Sequence, residues 1–182
     1  DTFHIEVKGK NSHGASPELG IDAIAATAHV ISGIQSIISR NISPLHSAVI
    51  TVGSIRGGTA INLIADTVIL EGTIRSLDPF DRELLKKRLR EMAFWSTKAY
   101  GARAEVKIKK SYPVLMNDNL VVEILKNAAI CETALEKIVE LKEPTMGVED
   151  FSFYLEKVPG AFFFLGSGYK GRENEGIHTG GF

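Results

Sequence analysis

The chain has 182 residues, 44% of them hydrophobic and 24% charged, with a formal net charge of −1. These totals are typical of a soluble globular protein of one or two domains, and the near-neutral charge argues against a nucleic-acid surface. No apolar run approaches the roughly 18 residues that a membrane span needs. The single cysteine, Cys131, excludes an internal disulfide and favours a cytoplasmic location.

The first 110 residues alternate between strand and helix patterns. Residues 2–8 alternate apolar and polar side chains, which predicts a half-buried strand, and a loop then leads to a helix over residues 21–39. Two strands, a helix from Pro79 to Gly101 and a last strand follow; the predicted strands cover 47–55, 66–74 and 104–110. This β-α-β-β-α-β order predicts an α+β, ferredoxin-like fold with one antiparallel sheet and two helices on one face.

The predicted helix over 21–39 is apolar on more than one side. The pattern assigns it a main stripe and a second set that widens the stripe; the main stripe is Ile21, Ile24, Ala25, Ala28, Ile31 and Ile38, and the second set is Val30, Ile34 and Ile37. A helix on one face of a small sheet needs only one stripe. The excess indicates either a second subunit or a deeper core within the chain.

The composition changes at Tyr112-Pro113, and a second segment follows. Its pattern predicts a helix over 120–131 that buries Cys131, a short strand over 138–141 and a short helix over 149–155. Ala161 to Leu165 reads as a fully buried strand, which needs neighbouring strands. We therefore expect residues 113–182 to be an incomplete α/β segment of a longer protein.

Four residues of this chain are candidates for substrate chemistry. His13 lies beside glycine in the loop before the first helix, where it is either a surface residue or a donor to a developing oxyanion. Asn62 follows a glycine pair and either caps a turn or binds a carboxylate. Arg75 ends a strand, where its planar fork suits a carboxylate as well as an ordinary ion pair. Glu149 starts a short helix, where capping competes with a catalytic role.

His178 is the candidate metal ligand. It lies in Gly176-Ile177-His178-Thr179-Gly180-Gly181-Phe182, and a zinc hydrolase needs three or four ligands and a base, which this chain does not obviously supply. We therefore expect either an ordinary histidine or part of a larger enzyme, and we favour the second. The nearby G-x-G-x-x-G pattern at 166–171 lacks the following helix of a dinucleotide site and is interpreted as a surface loop.

Five motifs in register resemble one family. They are Ser12-His13-Gly14-Ala15, Gly57-Gly58-Thr59-Ala60-Ile61-Asn62, Gly72-Thr73-Ile74-Arg75, Met146-Gly147-Val148-Glu149-Asp150-Phe151 and Ile177-His178. Together they are similar to the zinc amidohydrolases that include aminoacylases, hippurate hydrolases and indoleacetyl-amino-acid hydrolases. Ala65 stands where that family usually has proline, and Val148 where it usually has a smaller residue.

The resemblance implies a lid and dimerisation domain over 1–112, followed over 113–182 by the C-terminal part of a metallohydrolase catalytic domain. It implies hydrolysis of N-acyl amino acids or small peptides by two divalent ions, with zinc expected first and manganese, cobalt or nickel as alternatives. His178 would bind one ion, and His13 would polarise the scissile carbonyl, commonly from the partner subunit. Asn62 and Arg75 would contact the substrate, and Glu149 would line its pocket.

The same resemblance implies a homodimer formed through the lid, and the charge and apolar pattern predict no membrane or nucleic-acid partner. The remaining ligands and the general base would lie outside this sequence, so the chain alone is expected to be inactive. The competing interpretation is a non-catalytic ferredoxin-like module for dimerisation or small-molecule binding. Such a module accounts for the first 110 residues and leaves the second segment unexplained.

Overall fold

The computed structural model describes residues 1–132 and 138–166. In this part of the chain it contains six strands, four α-helices and a short 3-10 helix, Pro17–Leu19. The strands are β1 (Thr2–Lys8), β2 (Ser12–His13), β3 (Ala48–Gly57), β4 (Leu63–Ile64), β5 (Thr67–Ser76) and β6 (Arg103–Lys109). The helices are α1 (Ala23–Asn41), α2 (Pro79–Lys98), α3 (Asn119–Glu132) and the single turn α4 (Ser152–Leu155).

The four long strands form one sheet in the order β3-β5-β1-β6, and every neighbouring pair is antiparallel. The helices α1 and α2 contact each other and pack on the sheet, α1 over β3 and α2 over β6. This arrangement confirms the predicted ferredoxin-like fold. It also leaves β3 and β6 as the two edge strands.

The core lies between the sheet and the two helices. Alternate side chains of β1 (Phe3, Ile5 and Val7) are buried, as the period of two predicted. Val68, Leu70 and Ile74 from β5 and Leu85 and Leu89 from α2 complete this core. Gly72 lies where the Phe3 ring crosses β5, because a Cβ there would come within 2.4 Å of Phe3 Cζ.

The helix α1 begins at a side-chain cap and buries a different stripe from the one predicted. Asp22 Oδ1 accepts hydrogen bonds from the N–H groups of Ile24 (2.8 Å) and Ala25 (3.0 Å), which satisfies two donors that the helix leaves free. The core-facing residues are Ala23, Ala26, Thr27, Val30, Ile34 and Ile37. Ile24 of the predicted main stripe remains 50% exposed, whereas Ile21, Ile31 and Ile38 of that stripe are half-buried against the core.

The chain divides into two compact units, one of Asp1–Leu115 with Leu141–Ser152, and one that includes Met116–Glu140 and the residues after Ser152. In the second unit Asn117 exchanges two hydrogen bonds with the backbone of Phe162, at 2.9 and 2.8 Å. The domain limits 1–112 and 113–182 remain a prediction. Within the described residues, no helix is long and apolar enough to cross a membrane.

Three predictions for the second segment are wrong. Residues 138–141 and 161–165 form no strand, and Phe163, Phe164 and Leu165 are more than half exposed. Cys131 is exposed as well. A buried strand needs ladder partners on its edges, and no strand of the described residues lies beside residues 161–165.

Candidate functional site

His13 lies on a two-stranded arm that continues the β1–β5 ladder beyond the sheet. The ladder ends with Lys8 opposite Thr67, and the Gly9 N–H still donates to the Asp66 carbonyl at 2.8 Å. Beyond this point the pairing register shifts by one residue, and β2 pairs with β4, so that His13 lies opposite Leu63. The shift is that of a β-bulge, which bends a strand and re-aims its side chains. The arm therefore leads away from the end of the sheet that carries Arg75.

The imidazole of His13 is exposed, and the local backbone holds one of its nitrogens. Nδ1 accepts a hydrogen bond from the Ala15 N–H at 3.0 Å. An acceptor nitrogen carries no proton, so this contact assigns the neutral ring the tautomer protonated at Nε2. The Nε2–H group is thus the hydrogen-bond donor that His13 offers to a ligand.

The arm also brings Asn62 next to the His13 loop. The Gly14 N–H donates to the Asn62 carbonyl at 2.8 Å, and Asn62 lies in an exposed turn immediately before β4. A Cβ on Gly14 would lie 3.1 Å from the Asn62 oxygen, so a larger residue at this position would press on the Asn62 backbone. The structure therefore places two of the sequence-predicted site residues side by side.

Arg75 lies at the opposite end of β5 from the arm. It follows Thr67 by eight positions, about 26 Å at roughly 3.3 Å per residue. The Arg75 guanidinium is part-buried, and its Nη1 donates to the Met146 carbonyl at 2.6 Å. One copy of the chain therefore does not bring Arg75 together with His13 and Asn62.

Glu149 lies three residues after the carbonyl that binds Arg75. Its own carbonyl accepts hydrogen bonds from Ser152 Oγ (2.6 Å) and Ser152 N–H (3.2 Å), and the residue is exposed. The backbone of Glu149 thus takes part in the turn that starts α4. The Arg75–Met146 contact brings the loop that contains Glu149 to the Arg75 end of the sheet.

His178, the predicted metal ligand, and most of the 166–171 glycine pattern lie outside the described residues. Within the described ranges, no three His, Cys, Asp or Glu side chains come together as a metal site would require. The described residues alone therefore do not fit a catalytic metal. Any ion would depend on groups beyond them.

A buried ion cluster that the sequence patterns did not predict lies at the Arg75 end of the sheet. The Asp1 carboxylate binds Arg82 and Lys86, and all three side chains are at most 11% exposed. The available signal was two cations four residues apart on α2, beside the core residues Leu85 and Leu89.

The open face of the sheet carries exposed ion pairs. Arg56 and His4 both contact the Glu71 carboxylate, and these two contacts hold the pKa of Glu71 below its ordinary value. Lys8 likewise bridges Glu6 (3.0 Å) and Glu105 (3.1 Å). These exposed ion pairs contribute little to stability. A shallow depression of about 460 Å³ lies on the same face, with Lys107 and Lys109 among its lining residues.

The fold and the arm together define a class of protein: a ferredoxin-like lid that presents a histidine and an asparagine at its tip. Residues 1–98 match the family model described as the peptidase dimerisation domain. The chain belongs to this family.

The chain is also similar to curated enzymes and to solved structures. It is 38% identical over 167 residues to the N-acetyl-L-cysteine deacetylase of Bacillus subtilis, covering 92% of this chain and 39% of that enzyme. A proposed aminohydrolase from methicillin-resistant Staphylococcus aureus matches with a TM-score of 0.85 and 31% identity, over 98% of this chain and 46% of that one.

A Bacillus subtilis protein described as a dinuclear metal binding peptidase of the M20 family matches with a TM-score of 0.67 and 31% identity. That match covers 87% of this chain and 38% of the other. The chain thus spans less than half the length of each of these three proteins.

Proposed function

We propose that this chain is part of a metal-dependent amidohydrolase that cleaves the amide bond of N-acyl amino acids or small peptides. The observation that carries the proposal is the arm, which holds His13 with its Nε2–H available and places Asn62 beside it. The family membership and the similarity to a deacetylase of an N-acetyl amino acid support the reaction class.

The proposed chemistry of this chain is electrostatic. His13 Nε2–H donates a hydrogen bond to the scissile carbonyl oxygen, and this bond strengthens as negative charge develops there. Asn62 contributes its amide to the same end of the substrate. Arg75 binds the free carboxylate of the amino acid, because a guanidinium matches a carboxylate with two parallel hydrogen bonds. Glu149 lines the pocket near Arg75.

The proposed site requires two copies of the chain. Arg75 and the arm are separated by more than about 26 Å within one copy. This distance is far greater than the length of an N-acyl amino acid. If two β3 edges pair antiparallel about their centres, Val49 of one copy lies opposite Arg56 of the other. Arg75 pairs with Val49 in the sheet, so the second copy's arm then approaches Arg75. His13 and Asn62 of one copy would complete the site of the other.

The surface beside β3 supports a second copy as its occupant. On the β3 side, Ile24 of α1 is 50% exposed, and Val49 and Ile55 of the edge strand are 42% and 56% exposed. An unpaired ten-residue edge with apolar neighbours is a surface that proteins normally cover. A homodimer through the lid would bury both the edge and Ile24 of α1.

The proposed enzyme uses a divalent metal, most simply two ions, with zinc, manganese, cobalt and nickel as the candidates. The similarity to a dinuclear metal binding peptidase supports this part of the proposal. Bound metal would supply Lewis-acid polarisation and an activated water. His178 is the ligand that we propose from this chain. We also propose the domain limits 1–112 and 113–182 and a cytoplasmic location, which the lone Cys131 supports.

The test is hydrolysis by the full-length protein. We expect release of free amino acid from acetyl- or benzoyl-amino acids, loss of this activity with a chelator, and recovery when divalent metal is restored. The 182-residue polypeptide should be inactive in the same assay. A full-length protein that cleaves none of these substrates with any of the four metals would refute the proposal.

A further inference from the structure

The Asp1 carboxylate is buried and accepts hydrogen bonds on both oxygens. Oδ2 accepts from Arg82 Nε and contacts Lys86 Nζ, each at 2.9 Å, and Oδ1 accepts from Arg82 Nη2 and from the Ser111 N–H at 2.8 Å. Arg82 Nη2 also donates to the Ser111 carbonyl at 3.3 Å. We call Asp1, Arg82, Lys86 and the Ser111 backbone the clasp.

The burial of the clasp makes its contacts strong. The side chain of Asp1 is 0% exposed, and those of Arg82 and Lys86 are 11% and 8% exposed. Removing one member of a buried ion group leaves an uncompensated charge in a poorly hydrated place, which is much more costly than losing an exposed pair. Lys86 makes one ion pair of each kind: its contact with Asp1 is buried, whereas its second partner, Glu83, lies at 2.7 Å and is 70% exposed.

The clasp joins three elements at one end of the sheet. Asp1 immediately precedes β1, Arg82 and Lys86 belong to the first half of α2, and Ser111 follows β6. In the sequence, Asp1 lies 81 residues from Arg82 and 110 residues from Ser111. The carboxylate therefore fixes the backbone after β6 relative to β1 and α2.

The same residue continues the pairing of β1 with the strand that carries Arg75. The Ile74 N–H donates to the Asp1 carbonyl at 2.8 Å, and the Asp1 nitrogen donates to the Ile74 carbonyl at 2.8 Å. Arg75 is the next residue, and its guanidinium reaches the Met146 carbonyl. Asp1 is thus linked to the residue before Arg75 by one pair of backbone hydrogen bonds.

From these contacts we propose that the clasp positions Arg75 for recognition of the substrate carboxylate, with Asp1 as its central positioning residue. The inference rests on the proposed function. Without the Asp1 charge, Arg82 and Lys86 lose the anion that they share, and both move away from residue 1. The last residues of β5 then lose the fixed position of the Asp1 backbone, to which Ile74 is hydrogen-bonded. The Arg75 fork then no longer matches a carboxylate held at a fixed place, because bidentate recognition depends on orientation.

The experiment measures carboxylate preference in the full-length enzyme. For one good N-acyl amino acid and its C-terminal carboxamide, the ratio of the two kcat/KM values is determined for the wild type, Asp1→Asn, Arg75→Ala and the matched control Glu83→Gln. We expect Arg75→Ala to abolish the preference, Asp1→Asn to lower it about tenfold, and Glu83→Gln to leave it unchanged. Arg82→Lys should give an intermediate loss and serves in place of Asp1→Asn if that variant does not fold.

Hydrogen exchange of the residues around Met146 supplies a readout independent of catalysis. Loosening of Arg75 should speed exchange there in Asp1→Asn and not in Glu83→Gln. If the Asp1→Asn enzyme is only less heat-stable, with wild-type carboxylate preference and exchange, the positioning role is overturned. If Arg75→Ala itself keeps the preference, Arg75 does not bind the carboxylate, and the proposed function fails at that residue. In that case the positioning role for carboxylate recognition is overturned with it, whatever the exchange around Met146.

Discussion

The Nδ1 atom of His13 accepts a hydrogen bond from the backbone N–H of Ala15 at 3.0 Å. This contact within a three-residue segment fixes both the orientation and the tautomer of the ring. It turns an exposed histidine into a donor of defined direction, which is the property that an oxyanion-stabilising group requires.

The first prediction concerns this donor. His13→Ala in the full-length enzyme should lower kcat by up to a few hundredfold, because losing one such donor typically costs about 3–4 kcal/mol of transition-state stabilisation. His13→Gln retains an N–H donor on a side chain of similar reach and should lose less. Steady-state kinetics, with circular dichroism to confirm folding, decide the matter. Near-normal turnover of His13→Ala would count against the role.

Gly14→Ala tests the approach of the two segments of the arm. The new Cβ would lie 3.1 Å from the Asn62 carbonyl, so it should shift Asn62 by a few tenths of an ångström. We expect turnover to fall by about tenfold to a hundredfold with little change in stability. Gly147→Ala is the control, because its Cβ would meet only Thr145 Oγ1 at 3.6 Å. Equal activities of the two variants would show that the spacing is unimportant.

Asp22→Ala tests the cap of α1. Its carboxylate accepts two backbone N–H groups, and removing it should lower the free energy of unfolding by about 1 kcal/mol. Asp22→Asn preserves an acceptor and should behave like the wild type. Urea denaturation of both variants measures the difference. A wild-type midpoint for Asp22→Ala would mean that the cap does not contribute to stability.

Ile55→Lys tests the proposed dimer surface. The side chain is 56% exposed on the β3 edge, so a lysine is tolerated in the monomer but places a charge in an antiparallel β3–β3 contact. We expect light scattering to report a dimer for the wild type and a monomer for the variant. Trp95→Lys changes another exposed apolar residue, on α2 away from β3, and should remain dimeric. Dimeric Ile55→Lys would remove this edge from the interface.

The strands and helices of the first unit were predictable because their side chains follow the period of the element. β1 was predicted over the same residues as observed. The predicted first helix begins at residue 21, whereas the observed α1 begins at Ala23, immediately after its cap Asp22. The α1 stripe was assigned wrongly, because its apolar residues surround most of the helix and periodicity alone does not choose between two adjacent stripes.

The site was predictable only in part. His13 and Asn62 were identified individually, but their proximity depends on a ladder between residues about 50 positions apart, which no local pattern encodes. The clasp was missed because charged residues of an amphipathic helix are normally solvated, and only the fold shows that Arg82 and Lys86 are buried against Asp1. The apolar run 161–165 predicted a strand, but strand formation depends on partners that the pattern does not contain.

The most direct test of the composite site is complementation between two inactive full-length variants, His13→Ala and Arg75→Ala. When the two are mixed and exchange subunits, one of the two sites in each heterodimer contains both intact residues, so activity should recover to about a quarter of the wild-type value. Native mass spectrometry confirms that heterodimers have formed. If heterodimers form and the activity stays at that of the separate variants, His13 and Arg75 do not act across the subunit interface, and the account is contradicted.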